Sequence, residues 1–255
     1  RVEQFMAGHS HWASIKHKKA AVDAKRGKIW SKVSKAIIIA ARIGGGDPKM
    51  NPRLRVAIEE AKAVGMPKDN IMRAIKRGTG EIEGAALEEV TYEGYGPGGV
   101  AIMCDVLTDN RNRTAAEIRK CFELHNGKLG GAGCVAWMFE TKGLFLIPAD
   151  QVNEEQLMDV ALEAGAEDIK QVGDKFEVTC DPAKFSDVSE ALDRANIPCD
   201  SRSVTRIPKD YVDLDVETAR KVLKLMEELD EHEDVQNVSS NFNIPDEVMA
   251  ELSRS

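Results

Sequence analysis

Aromatic residues are scarce in this chain, with three Trp, three Tyr and seven Phe among 255 residues. Long apolar runs are missing altogether, and stretches such as Ala36–Ala41 are as long as they become. About 18 consecutive apolar residues are needed to cross a bilayer as a helix, so neither a membrane span nor a membrane partner is expected. The five cysteines (104, 121, 134, 180 and 199) are odd in number, widely spread and never in a Cys-x-x-Cys pair. This excludes a disulfide framework and the common zinc patterns, and it fits reduced thiols in a cytoplasmic protein. No charged stretch followed by an apolar segment and a small-residue cleavage site is found, so no secretory signal is read. Met6 is expected to be the native start, with Arg1–Phe5 lying outside it.

What is abundant is charge, and it is divided unevenly. Taken as a single sum, the formal net charge of −8 disfavours a nucleic-acid partner. Residues 1–80, however, hold eighteen Lys/Arg and six Asp/Glu, a formal +12, and residues 81–255 carry −20. A partner meets a surface and not a sum, so the two parts have to be read separately. A basic segment of this density points to an anionic partner; the bland alternative is a solvated helix surface beside an acidic, solubilising remainder.

The basic third has helical periodicity. From Ser14 to Ile43, the residues Ile15, Val22, Ile29, Val33, Ala36 and Ala40 recur at helical spacing and share one face. Lys18, Lys25, Lys28, Lys32, Lys35 and Arg42 fall beside them, and Gly27 allows two consecutive helices. Asn51 with Pro52 predicts a capped second helix with Leu54, Ala57, Ile58, Ala61 and Val64 inward, ending at Gly65. Pro67 opens a third, closed by Gly78, with Ile71 and Ile75 inward.

After Gly80 the period changes. Strands are expected at Val90–Tyr95 and Val100–Leu107 around the Gly96–Gly99 turn, then a helix that Thr114 and Glu117 would open as a capping box. Its inner face would carry Ile118, Cys121, Phe122 and His125. Leu144–Ile147, Glu154–Ala164, Asp168–Val172, Lys175–Cys180, Pro182–Ala195 and Arg202–Ile207 then read strand, helix, strand, strand, helix, strand. This is the ferredoxin-like order. A helix at Val216–Asp230 and a strand at Val235–Phe242 complement the early hairpin. The fold class is therefore α+β multidomain, an N-terminal three-helix bundle followed by two ferredoxin-like α+β domains, one inserted in the other. The boundaries are 1–79, a discontinuous domain from 80–140 and 208–255, and an inserted domain at 141–207.

Chemistry-bearing motifs are few. Lys16, His17, Lys18 and Lys19, followed by Lys25, Arg26 and Lys28, form the densest cationic stretch, suited to neutralising phosphates without reading sequence. Lys32, Arg53, Arg55, Lys62, Arg73, Lys76 and Arg77 extend it. Arg111 and Arg113 lie between a strand and a helix start, where they suit an anion or, equally, carboxylates of the fold. Gly94–Gly99 joins two strands and lacks the ending of a phosphate loop, and Gly127–Gly133 fails the dinucleotide fingerprint. Lys142–Phe145 has only a faint likeness to an RNA-recognition strand. His9, His11 and His17 match no zinc spacing, so no metal is expected. Trp12 and Trp30 have faces suited to stacking on bases, with Trp30 better placed for packing. No nucleophile–base motif is visible.

Six segments together resemble one family. They are Met6–Trp12, Ile15–Lys19, Asn51–Arg55, Met66–Ile71, Tyr92–Val100 and Thr108–Thr114, in order along nearly the whole chain. They are similar to the YebC/PmpR family. The resemblance implies a helical N-terminal domain with two α+β domains, no catalytic residues, and a probable DNA-binding transcriptional regulator. It also implies an alternative, a ribosome-associated translation factor that binds ribosomal RNA and relieves stalling, since a mitochondrial relative activates translation of cytochrome c oxidase subunit I. A protein-interaction module without nucleic-acid binding is the reading from another class. The expected partner is DNA or ribosomal RNA, with no cofactor and no small-molecule substrate.

Overall fold

The computed structural model describes residues 26–252, and its elements begin with three helices, α1 (Arg26–Gly44), α2 (Pro52–Ala63) and α3 (Lys68–Gly78). Asn51 caps α2, its side chain accepting from the Leu54 amide at 3.0 Å and donating to the carbonyls of Ala40 and Gly45, each at 2.8 Å. One buried amide therefore starts α2 and ties it to the end of α1. Leu54, Ala57 and Ala61 of α2, with Ile71, Ala74 and Ile75 of α3, cover α1. Gly78 lies against α1 so closely that a β-carbon there would stand 2.5 Å from the Ile38 carbonyl oxygen.

The expected apolar face of α1 needs correction. Ile29 is exposed and Val33 and Ala36 are only partly buried, whereas Ile37, Ile38, Ile39, Ala40 and Ala41 are all buried in succession. Residues 37–41 of α1 are enclosed by α2, α3 and the following sheet, so this stretch has no solvent face, and exposure returns only at Arg42 and Ile43. Trp30 does pack between helices, donating from Nε1 to the Val64 carbonyl at 3.1 Å. The part of the expected helix before residue 26 lies outside the described residues.

Strands β1 (Glu88–Tyr95) and β2 (Ala101–Thr108) form an antiparallel hairpin, followed by α4 (Arg111–Leu124) and the short β3 (Lys128–Leu129). The capping box at Thr114 is not formed. Asn110 caps α4, its side chain accepting from the Arg113 amide at 3.1 Å, and Thr114 sits buried in the first turn. Ile118, Cys121 and Phe122 point inward, as their spacing requires.

The next elements are β4 (Phe139–Pro148), α5 (Glu154–Glu163), β5 (Ala166–Val172), β6 (Lys175–Cys180), α6 (Phe185–Arg194) and β7 (Ser201–Pro208). They form an antiparallel sheet in the order β5-β6-β4-β7, the ferredoxin-like arrangement. Phe145, Ile147, Phe176, Val178 and Cys180 face the helices and meet Leu157, Ala161, Val188 and Leu192. The chain then passes through β8 (Val212–Asp213) and α7 (Val216–Glu231) to β9 (Val235–Ser240), which pairs with β2. The first sheet is thus β3-β1-β2-β9. The strand expected to run to Phe242 stops at Ser240. Phe242–Asn243 is a separate strand, β10, parallel to β8, and α8 (Asp246–Leu252) follows. β3, β8, β10 and α8 carry too few residues to show a period.

Alternation along β2 organises the joint between these units. Ile102, Cys104 and Val106 face α4 and α7. On the opposite face, Ala101 and Met103 meet Val135 and Phe139, and Leu107 enters the helical core beside Leu87. A strand buried on both sides reads as a continuous apolar run, which explains the clarity of β2 in the sequence. Replacing Asn51 with Ala removes a cap and leaves two carbonyls without that donor. It should lower stability by about 2 kcal/mol in urea unfolding, with the far-ultraviolet spectrum of the native state unchanged.

Candidate nucleic-acid interface

Of the residues expected to touch phosphate, Lys16, His17, Lys18, Lys19 and Lys25 lie outside the described residues. Arg26 opens α1, and Lys28 is exposed within the first turn of that helix. Arg55 on α2 is exposed, as are Lys62, Lys68, Arg73 and Lys76, and these have no ion-pair partner among the described residues. Arg53 is exposed and pairs with Glu89 at 3.2 Å. An exposed pair of this kind is weak and exchanges readily. On α3 the exposed arc runs through Lys68, Met72, Arg73 and Lys76, with Asp69 its one carboxylate.

One of the expected contacts, Lys32, and its neighbour Lys35 are committed elsewhere. Lys32 donates to the Asp230 carbonyl at the end of α7, and Lys35, one turn further on, pairs with Asp234. The row of lysines along α1 therefore has two destinations. Its beginning faces outward, and from Lys32 onward it grips the acidic part of the chain. Arg113 is likewise engaged, with Asp234 at 3.1 Å, Asp109 at 3.2 Å and Glu117 at 3.9 Å. This favours the structural reading of Arg113 over an anion site. Arg111 remains exposed, and its carbonyl accepts from the Tyr92 hydroxyl at 3.1 Å.

Asp234 is the centre of this arrangement and is wholly buried. Its carboxylate accepts from Lys35, from Arg113, and from the Thr114 hydroxyl at 2.6 Å. Its carbonyl accepts from the Leu107 amide at 2.8 Å, and its own amide donates to His232 Nδ1 at 3.1 Å. With Nδ1 accepting, the hydrogen-bond network assigns the ring proton to Nε2, which lies 3.0 Å from Glu117. Burial alone would raise the Asp234 pKa, but the hydrogen bonds from Lys35 and Thr114 and the nearby positive charge outweigh it and hold the group at about 2. Glu117, His232 and Asp234 bring potential metal-ligand atoms within 4.8 Å of one another. The Asp234 oxygens are already filled by two cationic side chains and a hydroxyl, so the cluster suits an ion-pair hub and not a metal.

A second joint lies where α1, α2 and the two sheets meet. A cleft of about 390 Å³ is lined by Arg53, Glu89, Thr91, Asp105, Arg206 and Gln236, among others. Arg206 of β7 pairs with Asp105 of β2, and Asp105 also accepts from the Thr91 hydroxyl at 3.1 Å. No spacing in the sequence pointed to this pair, because its members lie 101 residues apart.

The comparisons with known proteins bear on these elements directly. A family model described as the TACO1/YebC protein N-terminal domain matches residues 10–81, and one described as the TACO1/YebC second and third domain matches residues 87–242. The chain belongs to the TACO1/YebC family. A "probable transcriptional regulatory protein" of Dictyoglomus turgidum is 58% identical over 97% of this chain and 100% of the relative. One of Geobacter sulfurreducens, with the same description, is 54% identical over 97% and 100%. The crystal structure of a conserved hypothetical protein from Aquifex aeolicus aligns with a TM-score of 0.83 at 50% identity, covering 92% of this chain and 98% of that one. The TACO1/YebC fold thus accounts for the bundle and both sheets. Among the described residues, no helix is long and apolar enough to cross a membrane.

The Asp234 hub predicts an acid-sensitive joint. Its folded-state pKa is below the unfolded value near 3.8, so the stabilisation is complete above that value and is lost as pH falls towards 2. Asp234→Asn should cost about 2 kcal/mol at pH 7 and flatten the decline in stability between about pH 4 and 2, measured by urea unfolding across that range.

Proposed function

We propose that the protein is a non-enzymatic nucleic-acid-binding regulator of gene expression, of the DNA-binding transcriptional type. The observation that carries this reading is the division of charge, +12 over residues 1–80 against −20 over the remainder. The description shared by its relatives favours a regulator over an enzyme. In this reading residues 1–79 grip the phosphate backbone. The discontinuous domain of 80–140 and 208–255, with 141–207 inserted, forms an acidic body that nucleic acid avoids. The gripping set is Lys16, His17, Lys18, Lys19, Lys25, Arg26 and Lys28, extended by Arg55. Lys32 and Lys35 act differently, by holding the basic helix on the acidic body and so setting the direction in which the remaining cations face, while Arg113 is spent within that body on Asp234.

Backbone contact is sequence-independent, and its strength falls with salt as counterions are released. Replacing Lys18, Lys25 and Lys28 with Glu should therefore abolish most duplex binding. It should also reduce the slope of log affinity against log salt by roughly 3, as measured by fluorescence anisotropy from 50 to 200 mM salt. Lys32 is left intact in this variant because its loss would disturb the joint with α7. Unchanged affinity and slope would refute the basic-face model. Crosslinking in cells with sequencing of bound DNA and RNA then separates the transcriptional role, marked by promoter enrichment, from one confined to ribosomal RNA.

A further inference from the structure

Residues 94–104 and 124–139 of the acidic body carry no carboxylate. The fold brings them together, since β1 pairs with β3 with Gly94 opposite Leu129 and Tyr95 opposite Lys128. Directly opposed residues of an antiparallel pair project to the same side, so Tyr95 and Lys128 share a face.

Two aromatic side chains are exposed at this place. Trp137 is 66% exposed and Tyr95 39%. Both are held in position by one acceptor, the Cys134 carbonyl, which receives the Tyr95 hydroxyl at 3.1 Å and Trp137 Nε1 at 3.2 Å. The loop presenting them is fixed from beneath. The buried Glu93 carboxylate accepts from the amides of Gly133 at 2.7 Å, Val135 at 2.9 Å and Ala136 at 2.8 Å. Val135 and Phe139 anchor the loop in the core beside Ala101 and Met103. Lys128 is exposed and has no ion-pair partner among the described residues. Gly131 has neither a positive φ nor a neighbour within 4 Å of a would-be β-carbon, so neither backbone strain nor internal packing accounts for its missing side chain.

An indole exposed this far, with its polar nitrogen already satisfied, offers an apolar face to something outside the fold. A rigid aromatic pair with an exposed lysine, carried on stretches without a carboxylate and over a buried Glu93 already satisfied by three amides, suits a flat ring attached to a phosphate. We propose that Tyr95 and Trp137 form a stacking platform for an unpaired base of single-stranded nucleic acid, with Lys128 at its phosphate. The proposal rests on the nucleic-acid reading above and adds a second contact, separate in sequence from the basic N-terminal segment. Base stacking of this kind does not discriminate by sequence, because every base has a π-face. Bases locked in a duplex cannot reach the platform, so the site selects unpaired strands.

The test uses the full chain with a fluorescein-labelled 12-nucleotide oligouridylate and, separately, a 12-base-pair RNA duplex, followed by anisotropy and by tryptophan emission. Saturating oligouridylate should quench emission in the parent protein, and that component should be missing in Trp137→Phe, because its fluorophore is gone. Trp137→Ala should weaken single-strand binding about tenfold. Trp137→Phe, which keeps a ring, should stay within about threefold, and duplex binding should be the same in all three proteins. Single-strand affinity unchanged in Trp137→Ala, or no quenching of Trp137 at saturation, would overturn the platform. Failure of the parent protein to bind either probe would overturn the platform and the nucleic-acid reading together. Binding that is lost in the Lys18, Lys25 and Lys28 charge reversal but shows no contribution from Trp137 would overturn the platform alone.

Discussion

A single buried carboxylate holds the basic and acidic parts of this molecule in one arrangement. Asp234 has no solvent contact, and an unpaired charge in such a place is severely destabilising. It is satisfied by a lysine from α1, an arginine and a hydroxyl from α4, and it lies in the turn that delivers β9 to the edge of the first sheet beside β2. The position of the basic bundle, the start of α4 and the return of the chain after the second sheet are therefore coupled through one group. Breaking any partner exposes the others to the full cost of desolvation.

The same arrangement decides which cations are free to meet a partner. A helix with lysines at 28, 32 and 35 presents them along one side, and simple periodicity treats them alike. The acidic body claims the last two, leaving the outward-facing charge at the beginning of α1 and on the exposed arcs of α2 and α3. Repulsion between the acidic body and phosphate then works with the attraction of the basic segment. On the proposed reading, a polyanion is drawn to the basic part of the molecule and turned away from most of the acidic body. The carboxylate-free patch around Tyr95 and Trp137 is the exception within the acidic body.

Much of the fold was legible because long amphipathic elements carry their period in their residues. The alternation Phe176, Val178, Cys180 identified β6 to the residue, and Asn51 followed by Pro52 marked the start of α2. The cap of α4 was misread, since Thr114 has the right chemistry for a cap and was recruited instead by Asp234, 120 residues away. The burial of α1 was misread for a related reason. Three consecutive isoleucines cannot share one helical face, and only packing on several sides makes room for them. Trp137 went unnoticed because exposure is not a property of a residue type, and nothing local in the chain distinguishes an exposed indole from a buried one.

The order of elements, the family and the split of charge were determined by the sequence alone, because each is written in local composition and spacing. The tertiary structure alone decided which charges are spent inside the molecule, where the two carboxylate-free stretches meet and which aromatic rings face outward. These depend on contacts between residues far apart in the chain. Arg113 can serve a phosphate or a buried aspartate with the same chemistry, and only the position of Asp234 selects between them.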